Sequence, residues 1–404
     1  MFVSDWAEAG AAVLPQVVSL RRNIHAEPEL GLQCTRTSAK LKAALAGLPL
    51  ELHDSRSTSG FMAVLRGAHN GRTVLLRGDM DALPMAEETG LPFASRVPGA
   101  MHACGHDAHS AMLVGAAQAL CARRHELPGT VVFMFQPGEE GDHGARFMID
   151  DGLLDVARPD GAFALHISPN IPFGQVVSRA GPLLASTDTP RITVRGRGGH
   201  AAMPHEGVDP VPVACAIVLA FQAQVARAVP VADPAVLSIT QVRAGTAHNI
   251  IPDTVELTGT LRTLSEGTRT AMRAAVKRIA SGIAAAHGCT AEVTIDEGYP
   301  VTQNDARAID AVQACAEAVA GPGSYRHMPA PMMGGEDFAY VLREVPGAMA
   351  FLGVAAPGSD AATNPPLHNI RMTIAEDALA VGVAMHCAMA ERFPNQGWGE
   401  RVGQ

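Results

Sequence analysis

Thr130-Val-Val-Phe-Met-Phe-Gln-Pro-Gly-Glu-Glu-Gly141 runs through a block of apolar side chains, breaks at Pro-Gly, and then sets two carboxylates side by side. A continuous apolar run of this length, closed by turn residues, reads as a strand buried on both faces, the habit of a sheet covered by helices. The carboxylates of Glu139 and Glu140 then stand at a strand end. They cannot both turn into the core. Taken alone, such a pair is more often a solvated turn, but it also suits metal-assisted hydrolysis: one carboxylate coordinates a cation while its neighbour takes a proton from water.

Outward from this strand the text alternates. Residues 7–22, 37–48 and 109–123 carry helical periodicity, 144–151 reads as a short helix, and 61–65, 73–77 and 161–165 read as strands. The pattern predicts an α/β architecture, a mixed sheet flanked by helices, with ligands gathered in loops beyond the strand ends. A second block has its own rhythm: strand 191–195, helix 208–227, strands 236–242 and 255–261, helix 266–287, strand 291–295. That βαββαβ order is the split arrangement of a ferredoxin-like α+β domain. After Tyr299 the first pattern resumes, with helices over 305–320, 337–343 and 374–392 and a strand over 348–351. The chain is therefore divided into one domain of residues 1–181 and 298–404 and an inserted domain of residues 182–297.

The chain has 404 residues, of which 47% are hydrophobic, so two cores are within reach. Aromatic residues make up only 4% and the formal charge is -9, without Lys/Arg runs, which argues against nucleic acid or an anionic membrane as partner. The N-terminal residues lack the basic region and apolar run of an export signal, and no uncharged apolar stretch of about 18 residues is evident. A cytoplasmic protein is expected. The seven cysteines are scattered, mostly in Ala-rich helical text, and only Cys104 lies in a Gly/His turn.

That turn, Met101-His-Ala-Cys-Gly-His-Asp-Ala-His109, packs a thiol, three imidazoles and a carboxylate into nine residues. Cys104 and His106 offer two ligand types across a glycine that lets the backbone bend toward one point. His102, Asp107 and His109 either complete a local site or cap the following helix. His166 closes a predicted strand, and His368 lies in Asn364-Pro-Pro-Leu-His-Asn369. A lone histidine is usually structural. Here the predicted topology brings residues 104–106, 139–140 and 166 to strand ends of one sheet, which makes coincidence the weaker explanation.

With these segments in hand, the chain resembles the aminoacylase and hippurate hydrolase family of two-metal peptidases, in the branch of N-acyl-amino-acid amidohydrolases and auxin-conjugate hydrolases. The resemblance runs through Arg21-Arg-Asn-Ile-His-Ala-Glu-Pro-Glu-Leu-Gly31, Gly78-Asp-Met-Asp-Ala-Leu-Pro-Met85, Cys104-Gly-His-Asp-Ala-His109, Gln136-Pro-Gly-Glu-Glu-Gly141, Gly198-Gly-His-Ala-Ala-Met-Pro-His205, His248-Asn-Ile-Ile-Pro-Asp253, Met333-Gly-Gly-Glu-Asp-Phe338 and Leu367-His-Asn369. It implies a phosphorylase/hydrolase-like catalytic domain and makes the inserted block a lid and dimerisation domain. It also implies Cys104, His106, Glu140, His166 and His368 as ligands of two divalent cations (Zn, Mn, Co or Ni), with Glu139 as general base and later acid. His200 would stabilise an oxyanion, commonly across a homodimer, while Asn249 and Arg262 would hold the carboxylate side of a small N-acyl amino acid. Asp81 would stand behind the metal histidines.

The resemblance leaves Asp79 without a role, because the wider family places a histidine ligand there. Glu336 and Asp337 open a predicted helix and read as its caps. Gln33-Cys34, Ile167-Ser168-Pro169 and Asp142-His143 depart from the family pattern; the loop after His166 is expected to line the pocket, so these changes bear on acyl preference. The implied activity is amide hydrolysis of N-acyl amino acids, such as hippurate or N-acetyl amino acids. A metallo-dipeptidase or carboxypeptidase is the alternative within enzymes. The alternative outside them is a binding module with a structural metal, which would gather its ligands from short paired spacings rather than over half the chain.

Overall fold

The computed structural model describes residues 6–399. It divides into two compact units: one holds the chain up to Leu183, Gln303–Ala330 and the residues from Asp337 onward, and the other holds Leu184–Thr302 with Pro331–Glu336. The short return of Pro331–Glu336 follows from backbone bonding, since the Ala185 N–H donates to the carbonyls of Met332 and Gly334.

In the first unit an eight-stranded sheet has the order Glu51–Asp54, Phe61–Arg66, Pro128–Gln136, His69–Asp79, Gly161–Ser168, Gly347–Gly353, Val176–Ser178, Tyr325–His327. The central ladders, His69–Asp79 with both neighbours and Gly161–Ser168 with Gly347–Gly353, are parallel, and the flanking ones are largely antiparallel. Strand order reverses around His69–Asp79. The chain leaves it, crosses through a helix to Pro128–Gln136 on one side, and later returns to Gly161–Ser168 on the other. In open sheets the crevice beyond the strand ends at such a reversal collects ligands.

Central strands are buried throughout their apolar lengths, including Val131–Gln136 and Gly161–Ile167. Phe61 and Phe135 stack with ring centres 4.7 Å apart across the Phe61–Arg66/Pro128–Gln136 ladder. On the sheet lie the helices Trp6–His25, His106–Ala122 and Leu379–Gln396, and their apolar faces form one core with it. The middle helix is buried on nearly every side, as an Ala-rich helix enclosed by neighbours must be. A Cβ at Gly115 would stand 2.5 Å from Val17 Cγ2 and 2.9 Å from Val383 Cγ2, so glycine sets how closely the three helices approach.

Several elements differ from the sequence expectation. The helix expected to begin at residue 109 begins at His106, with Gly105 at a left-handed φ of 88° leading into it. The strand expected to close at His166 runs on to Ser168. The strand Glu51–Asp54 carries no apolar run that would announce it, and it survives by pairing with Phe61–Arg66.

The second unit has a four-stranded antiparallel sheet, in the order Ala235–Ala244, Thr254–Thr263, Ser186–Arg195, Thr290–Glu297, and two long helices, Pro210–Ala228 and Glu266–Ala286. Its own core joins the sheet to Val213, Ile217 and Phe221 of one helix and Met272, Val276 and Ala280 of the other. Within it Asp188 accepts bidentate bonds from Arg269 and Arg273 at 2.6–3.0 Å. The helix Pro210–Ala228 is, against expectation, long and apolar enough to cross a membrane by length and composition. Its buried residues recur along one face and pack on the unit's own core.

Replacing Gly115 by Val should lower the unfolding free energy by about 1–3 kcal/mol through overpacking between helices. Guanidinium unfolding followed by circular dichroism measures it.

Candidate metal centre and its polar surroundings

Three strand exits build the site. His69–Asp79 leads to Asp79 and Asp81, Pro128–Gln136 leads to Glu139 and Glu140, and Gly161–Ser168 carries His166. The fourth contribution is the start of the helix His106–Ala122. Gly105 reverses the chain in the left-handed region, which glycine enters without a steric penalty, and so turns Cys104 and His106 toward the same space. His368 comes from a distant loop. It takes a φ of 64°, uncommon for a residue with a side chain, and its N–H donates to the Ala103 carbonyl at 2.9 Å. That bond ties its loop to the Cys104 turn.

Cys104, His106 and His166 place ligand atoms within 4.8 Å of one another, and so do Cys104, Glu140 and His368. Cys104 belongs to both triads. His106, Glu139 and Glu140 form a further group of the same span. Cys104 Sγ lies 3.4 Å from His166 Nε2, and His368 Nε2 lies 3.3 Å from Glu140 Oε1. All five side chains expected from sequence as ligands therefore meet, from positions spread over more than half of the chain.

The donor set fits divalent cations on the evidence of its own unsatisfied atoms. Both ring nitrogens of His106, one oxygen of Glu140 and one of Asp81 are buried without a hydrogen-bond partner. Buried polar atoms are normally paired, and an orphan costs about 1–3 kcal/mol. Burial pushes the Cys104 thiol well above its ordinary range, with His106 opposing and Glu140 and Glu139 adding to it. A thiol so placed becomes a thiolate when a cation balances it. Burial holds His166 well below its ordinary value, which leaves a neutral imidazole, the ligating form. Burial opposes the charged form of His106 as well, but Asp79 and Cys104 outweigh it.

Asp81 stands behind this set. It is buried, its Oδ2 accepts the Glu140 N–H at 3.0 Å, and its Oδ1 lies 3.4 Å from His106 Nδ1. It thus orients one carboxylate through the backbone and faces one imidazole directly. His200 and Asn249 lie exposed in the second unit, where Ile250 pairs with His200 across two short strands and the Ala201 N–H donates to the Asn249 carbonyl. Arg262 is half-buried on the strand Thr254–Thr263, with Nε donating to Thr260 Oγ1.

Two expectations need correction. Asp337 does not serve as a helix cap: the residue at the start of Ala339–Glu344 is Phe338, and the Asp337 carboxylate accepts from Gln136 Nε2, Arg77 Nη2 and the Ala145 N–H at 2.7–3.1 Å. Ile167 does not belong to a loop: the strand runs on to Ser168 and the Ile167 side chain is fully buried. The departure at His143 has a partner, as Nδ1 lies 2.9 Å from the Tyr340 hydroxyl.

Sequence reasoning passed over a second buried cluster, next to the first. Arg21 Nε and His25 Nδ1 both reach Asp107 Oδ2, at 2.9 and 2.8 Å, and His25 Nε2 lies 3.2 Å from Glu87. Arg21 also reaches Glu376 at 2.8 Å. The signal was present in Arg21-Arg-Asn-Ile-His25, where helical spacing puts a basic residue and an imidazole on one face.

Residues 75–392 match the model of peptidase family M20/M25/M40. The chain belongs to this family. This M20 member is 38% identical over 374 residues to N-acetylcysteine deacetylase of Bacillus subtilis (strain 168), covering 92% of the chain and 95% of that relative. It is 36% identical over 384 residues to thermostable carboxypeptidase 1 of Saccharolobus solfataricus, covering 94% and 96%. A solved Bacillus subtilis protein described as a dinuclear metal-binding peptidase from the M20 family aligns with a TM-score of 0.82 at 34% identity, over 95% of this chain and 99% of that one.

His25 provides a test in pH. Burial works against its charge, but Asp107 and Glu87 outweigh burial and raise its pKa from 6.5 to about 9. A raised folded-state value means the stabilisation is complete below the unfolded value and disappears as pH climbs through the folded one. Unfolding free energy should therefore decline between pH 6.5 and about 9, by on the order of 3 kcal/mol, and the decline should be absent in His25→Gln.

Proposed function

We propose that this M20 member is a metal-dependent amidohydrolase that cleaves N-acyl amino acids to a carboxylate and a free amino acid. The observation that carries this reading is Cys104, shared between a triad with His106 and His166 and a triad with Glu140 and His368, with Glu139 alongside. Two divalent cations bound there supply Lewis-acid polarisation of the scissile carbonyl and activation of water near neutral pH.

The two glutamates divide the work by position. Glu140 faces His368 and its backbone is anchored by Asp81, which suits a ligand. Glu139 is buried, and its Oε2 lies 3.9 Å from His106 Nε2, outside both triads that share Cys104. Its carboxylate takes the proton from the attacking water and delivers it to the leaving nitrogen. Asp81 holds the Glu140 backbone and faces His106 throughout. The relative named N-acetylcysteine deacetylase supports the acyl-amino-acid substrate class. The carboxypeptidase relative keeps peptide-bond hydrolysis as the second reading.

We assign the second unit as a lid and as the surface for a homodimer or higher homo-oligomer, with His200 serving the oxyanion and Asn249 and Arg262 the substrate carboxylate. Support for a partner surface comes from apolar side chains exposed on that unit: Leu219 at 71%, Val242 at 59% and Ile250 at 55%. Guanidinium suits bidentate pairing with a carboxylate. A reducing cytoplasmic setting completes the reading, and it is supported by seven cysteines that are all unpaired. Zinc, manganese, cobalt and nickel all suit the mixed sulfur, nitrogen and oxygen donors.

Glu139→Gln should keep the full metal content of the wild type while kcat falls about 10²–10⁴-fold. Elemental analysis and a hydrolysis screen over N-acetyl, N-benzoyl and long-acyl amino acids and plain dipeptides check both halves. Hydrolysis confined to dipeptides favours the second reading, and a variant as active as the wild type contradicts both.

A further inference from the structure

Parallel pairing between His69–Asp79 and Gly161–Ser168 stops at Arg77 opposite Ala164. Beyond that point the strand carrying His166 continues in the core without its neighbour, and a buried N–H there needs another acceptor. The Ile167 N–H finds it in a side chain, His109 Nε2, at 2.9 Å. His109 Nδ1 lies 2.6 Å from Asp79 Oδ1. These two contacts fix the tautomer: Nδ1 carries the proton and donates to the carboxylate, and Nε2 accepts.

Asp79 is anchored in turn. Arg77 Nη1 donates to its other oxygen at 2.5 Å, Arg77 Nε donates to Gln136 at 2.9 Å, and Arg77 and Gln136 both donate to Asp337. Asp79, His109, Arg77, Gln136 and Asp337 are all buried. At the other end, the Ile167 carbonyl accepts from His166 Nδ1 at 2.7 Å. That bond keeps the proton on Nδ1 of His166 and turns the Nε2 lone pair toward Cys104. The Ile167 side chain is equally confined, since a Cβ at Gly105 would come within 2.3 Å of Ile167 Cδ1. The backbone that aims the His166 ring is therefore held at its N–H by His109, at its carbonyl by the ring itself, and at its side chain by the turn that carries Cys104.

We propose that His109, oriented by Asp79, is a positioning residue for His166: by accepting the Ile167 N–H where the strand ladder ends, it fixes the angle at which His166 meets a cation. This gives Asp79 a role as the anchor of a side-chain continuation of the sheet. Partners behind a ligating histidine commonly set metal affinity by 10–100-fold. The inference rests on the two-cation hydrolase reading, and its test separates the two.

Equilibrium dialysis against buffered cobalt(II), read by elemental analysis and by the visible absorption of the bound ion, is applied to wild type, His109→Asn and His109→Gln. The asparagine amide reaches Asp79 but falls short of Ile167; the longer glutamine reaches the Ile167 N–H with its carbonyl oxygen. Wild type should take up two cobalt ions per chain. His109→Asn should weaken one of the two about 10–100-fold and shift the visible bands, while His109→Gln should stay within a few-fold of wild type in affinity and keep the spectrum. In turnover the asparagine variant should lose kcat with little change in KM, because the substrate's ground-state contacts are untouched. Equal cobalt affinity and spectra in the two variants, whether both intact or both impaired, would overturn the positioning role alone. A wild-type chain that binds no cobalt would overturn the hydrolase reading, and this inference with it.

Discussion

A buried thiol shared by two triads of candidate ligands is the constraint around which the rest of this molecule is arranged. Cys104 sits at the N-terminal end of the helix His106–Ala122, where the helix dipole favours an anion, yet burial drives its proton affinity upward. The conflict is resolved by positive charge brought close to the sulfur. The nitrogens of His106 and Oε1 of Glu140, which have charged neighbours 3.3–3.9 Å away but no hydrogen bond, point to the same need. A core of this kind is not at rest with its polar atoms facing each other, and cations satisfy several of them together.

Holding five candidate ligands in place requires a frame that does not give way, and the frame is made of buried ion pairs. On one side Arg77, Asp79, Gln136 and Asp337 form a closed set between the central strands. On the other, Arg21, His25 and Asp107 join the first helix to the helix that begins with His106. Breaking such a pair by removing one partner leaves an uncompensated charge in the core and costs about 3–5 kcal/mol. Apart from Asp107 Oδ1, which is buried without a hydrogen bond, the charged atoms of both sets are bonded, so the sets act as struts. Asp107 is adjacent to one candidate ligand, His106, and Asp79 is linked through His109 to the backbone beside another, His166. The reversal of strand order at His69–Asp79 provides the crevice; the struts hold its lining.

Much of the first unit was legible because its strands are buried on both faces and so carry unbroken apolar runs, as in Thr130–Phe135. The candidate ligands were legible for a different reason: none of them alone points to a metal, but the expected topology brought residues 104–106, 139–140 and 166 to strand ends of one sheet. What escaped was whatever depends on contacts between distant segments. Asp337 looked like a helix cap because acids often stand before helices, and only the fold shows it meeting Arg77 and Gln136. Ile167 looked like pocket lining because it follows a ligand, whereas the strand continues beneath it and turns its side chain inward. His106 looked like loop because glycine and histidine interrupt the helical pattern, while Gly105 in fact supplies the backbone turn that starts the helix. Glu51–Asp54 has no pattern to read, since an edge strand with polar faces is specified by its neighbour.

Whether the Cys104 sulfur serves two cations can be read from X-ray absorption at the zinc edge of the zinc-loaded protein. A sulfur shared by two zinc ions would give a sulfur scatterer at about 2.3 Å averaging one per zinc, nitrogen and oxygen neighbours at about 2.0–2.2 Å, and a zinc–zinc vector, with sulfur and vector both weakened in Cys104→Ser. Zinc bound without sulfur in its shell, or a single zinc with no second metal nearby, would contradict it.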